Sequence, residues 1–225
     1  MPTKWYALFT FITVYLSFVF NKLFRLEYIH SRHIIHCDIK PENILVGRGS
    51  STRLVHLIDF GFARWFRDPR TFIHTPHQKN QPLVGTACYA SMNALLGIRL
   101  TRRDDLESLA YVLIYLMQGS LPWQSTTGKL TTDLLNIRTE ITPSILCKGL
   151  PAEFEVFLNY TRSLEFKQKP DYQYLRDLFS CLRESDDNNV DIEHDLLPIF
   201  DEPHPKSVKT PTRREQVSVP LTTRK

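Results

Sequence analysis

Apolar side chains dominate the first thirty residues. Trp5 to Phe20 carries no formal charge, and the pattern runs on through Leu23, Phe24, Leu26, Tyr28 and Ile29. There it is broken by Asn21, Lys22, Arg25 and Glu27 at helical spacing, which predicts one long helix over about residues 12–31. Two short apolar runs follow, Ile44-Leu45-Val46 and Leu54-Val55-His56-Leu57-Ile58, separated by the turn-rich Gly47-Arg48-Gly49-Ser50-Ser51, and together they predict a β-hairpin. Residues 59 to about 92 show no sustained period and contain Pro69, Pro76 and Pro82. A loop of that length inside a compact domain is generally functional. Leu106, Leu109, Val112, Leu113 and Leu116 then predict a helix from Asp104 to Met117, closed by Gly119. Further helices are expected around 128–138, 151–164 and 171–183, the last two opening after Pro151 and Pro170. No internal repeat is evident.

The two ends need separate readings. A helix over the uncharged run 5–20 spans only ~24 Å at ~1.5 Å per residue, short of the ~30 Å hydrocarbon core. A signal peptide or short anchor is one reading of it. A buried helix of a soluble domain also explains the charged positions that follow, and is the reading preferred here. After Arg183 the composition shifts to an acidic stretch (Asp186, Asp187, Asp191, Glu193, Asp195, Asp201, Glu202), then to a basic end (Lys206, Lys209, Arg213, Arg214, Arg224, Lys225). Residues 184–225 are therefore expected to be mostly disordered or loosely docked.

Composition narrows the function classes. At 225 residues, 42% hydrophobic and 12% aromatic, the chain is long and apolar enough for one sizeable core. The net charge of +4 is mild, and the basic residues gather only at the end, which argues against a nucleic-acid binder. Cys37, Cys88, Cys147 and Cys181 form no CxxC pair, so a reducing, intracellular compartment is the simpler reading than a disulfide framework or zinc site. Cys37 is read as a small buried apolar residue rather than a reactive thiol.

The chemistry concentrates in His36-Cys37-Asp38-Ile39-Lys40-Pro41-Glu42-Asn43, followed sixteen residues later by Asp59-Phe60-Gly61. Two carboxylates, a lysine and an asparagine at this spacing are what phosphoryl transfer from a magnesium–nucleotide requires. One Asp orients the attacking hydroxyl, the Lys offsets charge on the transferring phosphoryl, and Asn with the second Asp holds magnesium.

Leu26-Glu27-Tyr28-Ile29-His30, Asp38-Ile39-Lys40-Pro41-Glu42-Asn43, Gly85-Thr86-Ala87-Cys88-Tyr89-Ala90-Ser91 and Arg102-Arg103-Asp104-Asp105-Leu106-Glu107-Ser108-Leu109 resemble the casein kinase I family of serine/threonine protein kinases. So do Gly119-Ser120-Leu121-Pro122-Trp123-Gln124 and Lys169-Pro170-Asp171-Tyr172. The resemblance covers about residues 14–183 and implies a mainly α, protein-kinase-like C-lobe with a small β-hairpin near the catalytic loop. Residues 1–13 would be a short remnant and 184–225 a tail. It implies that Asp38 orients and deprotonates a substrate hydroxyl, that Lys40 contacts the γ-phosphoryl, and that Asn43 and Asp59 ligate magnesium. His36 would be a structural member of the loop, Asp105 would tie that loop to the central helix, and Thr86 would stand at the base of the substrate segment. Cys88 replaces the family's arginine there, and a thiol cannot form the bidentate phosphate contact of a guanidinium. Cys37 likewise replaces the arginine that kinases often carry before the catalytic Asp.

The resemblance also implies ATP and Mg2+ as cofactors, protein substrates, and a location in cytoplasm or nucleus. Against that pattern, no Gly-rich loop or strand lysine stands upstream of His36. The roughly thirteen residues before the matching region cannot build an N-lobe β-sheet, since one strand alone takes about five or six residues. The expectation is a kinase C-lobe whose isolated chain transfers little phosphate, with apolar surface left for a partner. The alternative is a non-catalytic scaffold that binds substrates or partners in its groove, or a fragment anchored to membrane through residues 5–20.

Overall fold

A computed structural model describes residues 23–47, 55–124, 131–180 and 182. Its axis is α3, Arg102–Gln118, with Leu106, Leu109, Val112, Leu113 and Ile114 all fully buried. The helix starts where the Asp104 carboxylate accepts the Thr101 backbone N–H at 2.6 Å. It stops at Gly119, whose φ of 79° suits a residue without Cβ and lets its N–H reach the Tyr115 carbonyl at 2.8 Å.

Helices pack round this axis. α6 (Ala152–Ser163) lies on α3 through Phe154, Phe157, Leu158 and Thr161, the i, i+3, i+4, i+7 stripe of an amphipathic helix. α5 (Pro143–Leu146) and α7 (Tyr172–Ser180) pack on α6, where Phe179 meets Phe154 and Phe157 edge-on at 5.6 Å. α2 (Met92–Leu95) touches both α3 and α4 (Thr131–Glu140). The described part of α1, residues 23–31, adds Leu23, Leu26 and Ile29 to the same core.

Two small antiparallel ladders decide where the functional loops lie. β1 (Ile34–Ile35) pairs with β4 (Arg64–Trp65), and β2 (Ile44–Val46) pairs with β3 (Val55–Leu57). Ile34 faces Trp65, and Ile44 faces Leu57. Loop 36–43 runs from β1 to β2, while loop 58–63 runs from β3 to β4. The ladders therefore clamp the two motif-bearing loops side by side at both ends.

The fold is mainly helical with few strands, as the pattern predicts. The hairpin forms at the expected place, with β2 paired to β3; residues 48–54, Leu54 included, lie outside the described residues. α3 opens two residues earlier than its apolar period, because the polar Arg102 and Arg103 occupy its first turn. β1 and β4 were not expected, since a two-residue strand has no readable period. α2 and α5 were missed for the same reason of length. The expected helix segment 12–22, the opening of the 128–138 helix and the tail 184–225 lie outside the described residues. So does the uncharged run 5–20. Among the described residues no helix is long and apolar enough to cross a membrane.

Candidate active site

Asp105, buried on the first turn of α3, organises the loop. Its Oδ2 accepts the His36 backbone N–H at 2.8 Å and its Oδ1 accepts the Cys37 N–H at 2.9 Å. The same Oδ2 receives His30 Nε2 at 2.8 Å, which links the end of α1 to the loop. These bonds hold Cys37 at φ 67°, a left-handed conformation costly for a residue with a side chain. The Cys37 thiol is buried beneath the loop, and burial followed by the Asp105 charge pushes it far above the usual thiol range. It is an inert packing residue there.

His36 forms the second brace. Its Nδ1 accepts the Asp38 backbone N–H at 3.3 Å and its Nε2 donates to the Ile58 carbonyl at 3.0 Å. Its ring also meets Phe60 at 4.9 Å between centroids. One imidazole thus joins the loop carrying Asp38 to the loop carrying Asp59.

The Asp38 carboxylate collects four donors. Oδ1 accepts from the Thr86 N–H and hydroxyl, each at 2.8 Å. Oδ2 accepts from Lys40 Nζ at 2.9 Å and Asn43 Nδ2 at 3.2 Å. Burial raises its pKa, but the Lys40 and Thr86 bonds outweigh burial and hold the carboxyl below the usual carboxylate range. The Asp38 bond in turn raises Lys40 above the ordinary lysine value. Lys40 Nζ also donates to Thr86 Oγ1 at 3.1 Å, which leaves one of its three N–H groups to point elsewhere.

Gly85 makes this convergence sterically feasible. It sits at φ +80°, and a Cβ there would come 2.4 Å from the Cys37 carbonyl oxygen and 3.0 Å from Asp38 Oδ1. No side chain fits between the two segments.

Asn43 commits its amide nitrogen to the Asp38 carbonyl at 2.9 Å and to the carboxylate, leaving the amide oxygen as its free donor atom. Its backbone carbonyl accepts the Ile58 N–H at 3.0 Å, so the β2–β3 ladder continues one step and brings Asp59 beside it. Asp59 is exposed at φ 62°, and among the described residues its carboxylate accepts only the Gly61 N–H, at 3.2 Å. Two oxygen donors at one edge suit a hard divalent cation that keeps water and phosphate oxygens in its remaining positions. Among the described residues no group of three His, Cys, Asp or Glu side chains forms a complete protein cage.

Arg138 on α4 was not singled out in the sequence. Its guanidinium is buried between Tyr111 and Trp123, at 4.7 and 4.3 Å from their ring centroids. It donates to the carbonyls of Ala87, Cys88 and Ala90, the Ala87 bond at 3.0 Å. Trp123 Nε1 adds a bond to the Cys88 carbonyl at 2.8 Å. The backbone just after Thr86 is thus gripped from beneath, while the half-buried Cys88 thiol is pushed up by burial. A single arginine in a helix of low hydrophobic content gives no sequence signal for this; only its partners reveal it.

Asp38, Lys40, Asn43, Thr86 and His36 are brought together, Asp105 acts from behind, and Asp59 stands at the exposed edge. A profile of the protein kinase domain family matches residues 13–185, most of the chain. With the loop, the Asp-Phe-Gly turn and the helical core in this arrangement, the chain belongs to the protein kinase family.

Proposed function

We propose that this chain carries the C-lobe chemistry of a casein kinase I-type serine/threonine protein kinase, moving the ATP γ-phosphoryl to a protein Ser or Thr hydroxyl. The observation that carries this reading is the Asp38 carboxylate, ionised and fixed by Lys40, Asn43 and Thr86. An Asp held below its usual pKa is a weak base and a good acceptor. That suits a loose phosphoryl-transfer transition state, where the hydroxyl is aligned first and loses its proton late. Asp38 therefore orients the substrate oxygen and receives its proton. Lys40, anchored by Asp38 and Thr86, offers its remaining N–H to the γ-phosphoryl oxygens. Magnesium, when bound with nucleotide, would neutralise phosphate charge, and the Asn43 amide oxygen and Asp59 carboxylate are the groups that would hold it.

The same reading makes phosphoryl transfer depend on a nucleotide-covering N-lobe that the residues before His36 do not supply. Supporting this, apolar side chains flank the Asn43–Asp59 edge while facing solvent: Leu45, Ile58, Phe60, Phe62 and Trp65 are 37–52% exposed. The decisive experiment assays phosphate transfer to an acidic Ser/Thr protein by this polypeptide alone and by a fusion to the N-lobe of a casein kinase I. The expected result is silence alone, turnover in the fusion, and loss of that turnover with Asp38→Asn. Turnover by the chain alone, abolished by Asp38→Asn, would overturn the dependence on a second lobe. A folded but inactive fusion would favour the second reading, a scaffold that holds substrates without phosphorylating them.

A further inference from the structure

Away from Asp38, a cleft of about 520 Å³ opens between the end of α1, the segment after β4, the start of α3 and the segment before α7. Arg67, Arg102, Lys167 and Lys169 line it together with His30 and Tyr172. Among the described residues none of the four cations forms an ion pair. Arg67 Nε donates to His33 Nδ1 at 2.8 Å, and Arg102 Nη2 donates to the Lys167 carbonyl at 2.7 Å, both neutral acceptors.

Arg102 is the least ordinary of these. It is 9% exposed, its guanidinium stacks on Phe66 at 4.4 Å, and its Nε–H is buried with no acceptor. A buried charge without a counter-ion is costly, and a guanidinium using one of its five N–H groups is an unmet binding capacity. Among the described residues the only acid lining the cleft, Glu27, is already paired with Arg176 at 2.5 Å. The field reaches further: burial, with Arg67 and Arg102 adding to it, keeps both His33 and His74 below the ordinary histidine range.

We propose that this cleft binds a phosphate monoester dianion carried on a protein side chain. Three further cations around one buried, stacked guanidinium match a dianion with three acceptor oxygens better than a single carboxylate. The chemistry of the neighbourhood selects a peptide over a phosphorylated lipid. A second hollow of about 340 Å³ shares Glu27, Lys169 and Tyr172 with the first and adds Asp171 and Gln173. This continuation is polar and carries carboxylates, which suits an extended peptide and repels an anionic bilayer surface. The cleft wall also contains His30, whose bond to Asp105 leads to the loop that carries Asp38. A phosphorylated partner seated there lies one buried carboxylate away from the catalytic loop.

The test measures binding, so it is independent of whether the chain transfers phosphate. The probe is a fluorescent peptide library with a central phosphoserine and degenerate flanks, titrated against the full chain, with the unphosphorylated library as control. Lys167 and Lys169 are exposed, so Lys167→Gln with Lys169→Gln leaves the core intact, which circular dichroism verifies. The expected results are selective binding of the phosphorylated library, competition by inorganic phosphate, and a loss of about tenfold or more in the double variant, the scale of charge-assisted hydrogen bonds. Equal binding of both libraries, or unchanged affinity in the double variant, overturns the proposal. Vesicles bearing a phosphorylated headgroup that bind the chain while the peptides do not would also overturn it, since the source would be a membrane.

Discussion

Replacing Arg138 by methionine tests whether a buried cation that forms no ion pair among the described residues can be a structural hub. Methionine keeps the length and polarisability of the stem and removes the planar donor fork. The Cys88 carbonyl retains Trp123 Nε1 as a donor, but the Ala87 and Ala90 carbonyls lose the arginine that satisfies them. An unsatisfied buried acceptor costs about 1–3 kcal/mol, so the two together cost about 2–6 kcal/mol. The stack on Tyr111 and Trp123 contributes about 0.5–2 kcal/mol per ring, and a sulfur–aromatic contact of about 0.3–1.5 kcal/mol replaces part of it. One effect opposes these. Burial depresses the Arg138 pKa, so removing the charge relieves a desolvation penalty.

The net expectation is a destabilisation of about 2–5 kcal/mol, a large part of the ~5–15 kcal/mol that holds a domain together. With an m-value of about 2 kcal/mol/M, the urea midpoint should fall by roughly 1–2.5 M at unchanged slope. Arg138→Lys should recover little, because an ammonium cannot reach three carbonyls through one planar fork. If Arg138→Met unfolds within about 0.5 kcal/mol of the parent chain, the range of an ordinary surface substitution, the three-carbonyl grip is not what fixes the segment after Thr86, and the reasoning fails.

Three further outcomes follow from the same geometry. Gly85→Ala should destabilise by more than the ~1 kcal/mol of left-handed strain, since its Cβ would strike the Cys37 carbonyl oxygen, and a urea midpoint equal to the parent's would refute the close approach. Asp105→Ala strands the N–H groups of His36, Cys37 and His30 and should cost about 3–9 kcal/mol, read as loss of cooperative unfolding or as a collapsed midpoint. The pH profile has a signature at Asp104, whose carboxyl burial raises to about 6. Its folded-state pKa exceeds the unfolded one, so its contribution is largest below pH ~4 and declines as pH rises to about 6, by at most ~1.4 kcal/mol per pH unit. Urea midpoints from pH 4 to 7 should show this decline in the parent and not in Asp104→Asn; parallel profiles would refute it.

The elements with many residues in one period were legible in the sequence. Leu106, Leu109, Val112 and Leu113 announce α3 because a helix this long repeats its apolar stripe several times. Ile34–Ile35 and Arg64–Trp65 announce nothing, yet their pairing brings the two loops together. Asp38, Lys40, Asn43 and Asp59 stood out because phosphoryl transfer constrains which residue types occur at which spacing. Of the groups that hold them in place, Asp105, His36 and Thr86 were legible through the resemblance, whereas the roles of Arg138, Gly85 and Trp123 were not, since these act at backbone carbonyls. A backbone carbonyl is identical at every position, so a residue that binds one leaves no chemical trace of its target in the sequence. Arg102 and Arg67 were hidden for another reason: their chemistry depends on what fails to pair with them.

The placement of order within the site argues for a division of labour. The half that the proposed function assigns to substrate is over-determined, with Asp38 held by four donors, its loop held by Asp105, and the segment after Thr86 held by Arg138 and Trp123. The half that it assigns to nucleotide rests on an exposed Asp59 in a left-handed conformation whose carboxylate takes one backbone bond among the described residues, beside apolar side chains open to solvent. Preorganisation is effective only where the geometry exists before the ligand arrives, and well-oriented reactants can supply about 7–11 kcal/mol of barrier reduction. On the proposed reading, this chain fixes the acceptor hydroxyl's side in advance and leaves the phosphate side to be completed on binding. Tightening Asp59 should therefore matter more to turnover than any further stabilisation of Asp38, whose surroundings already satisfy it.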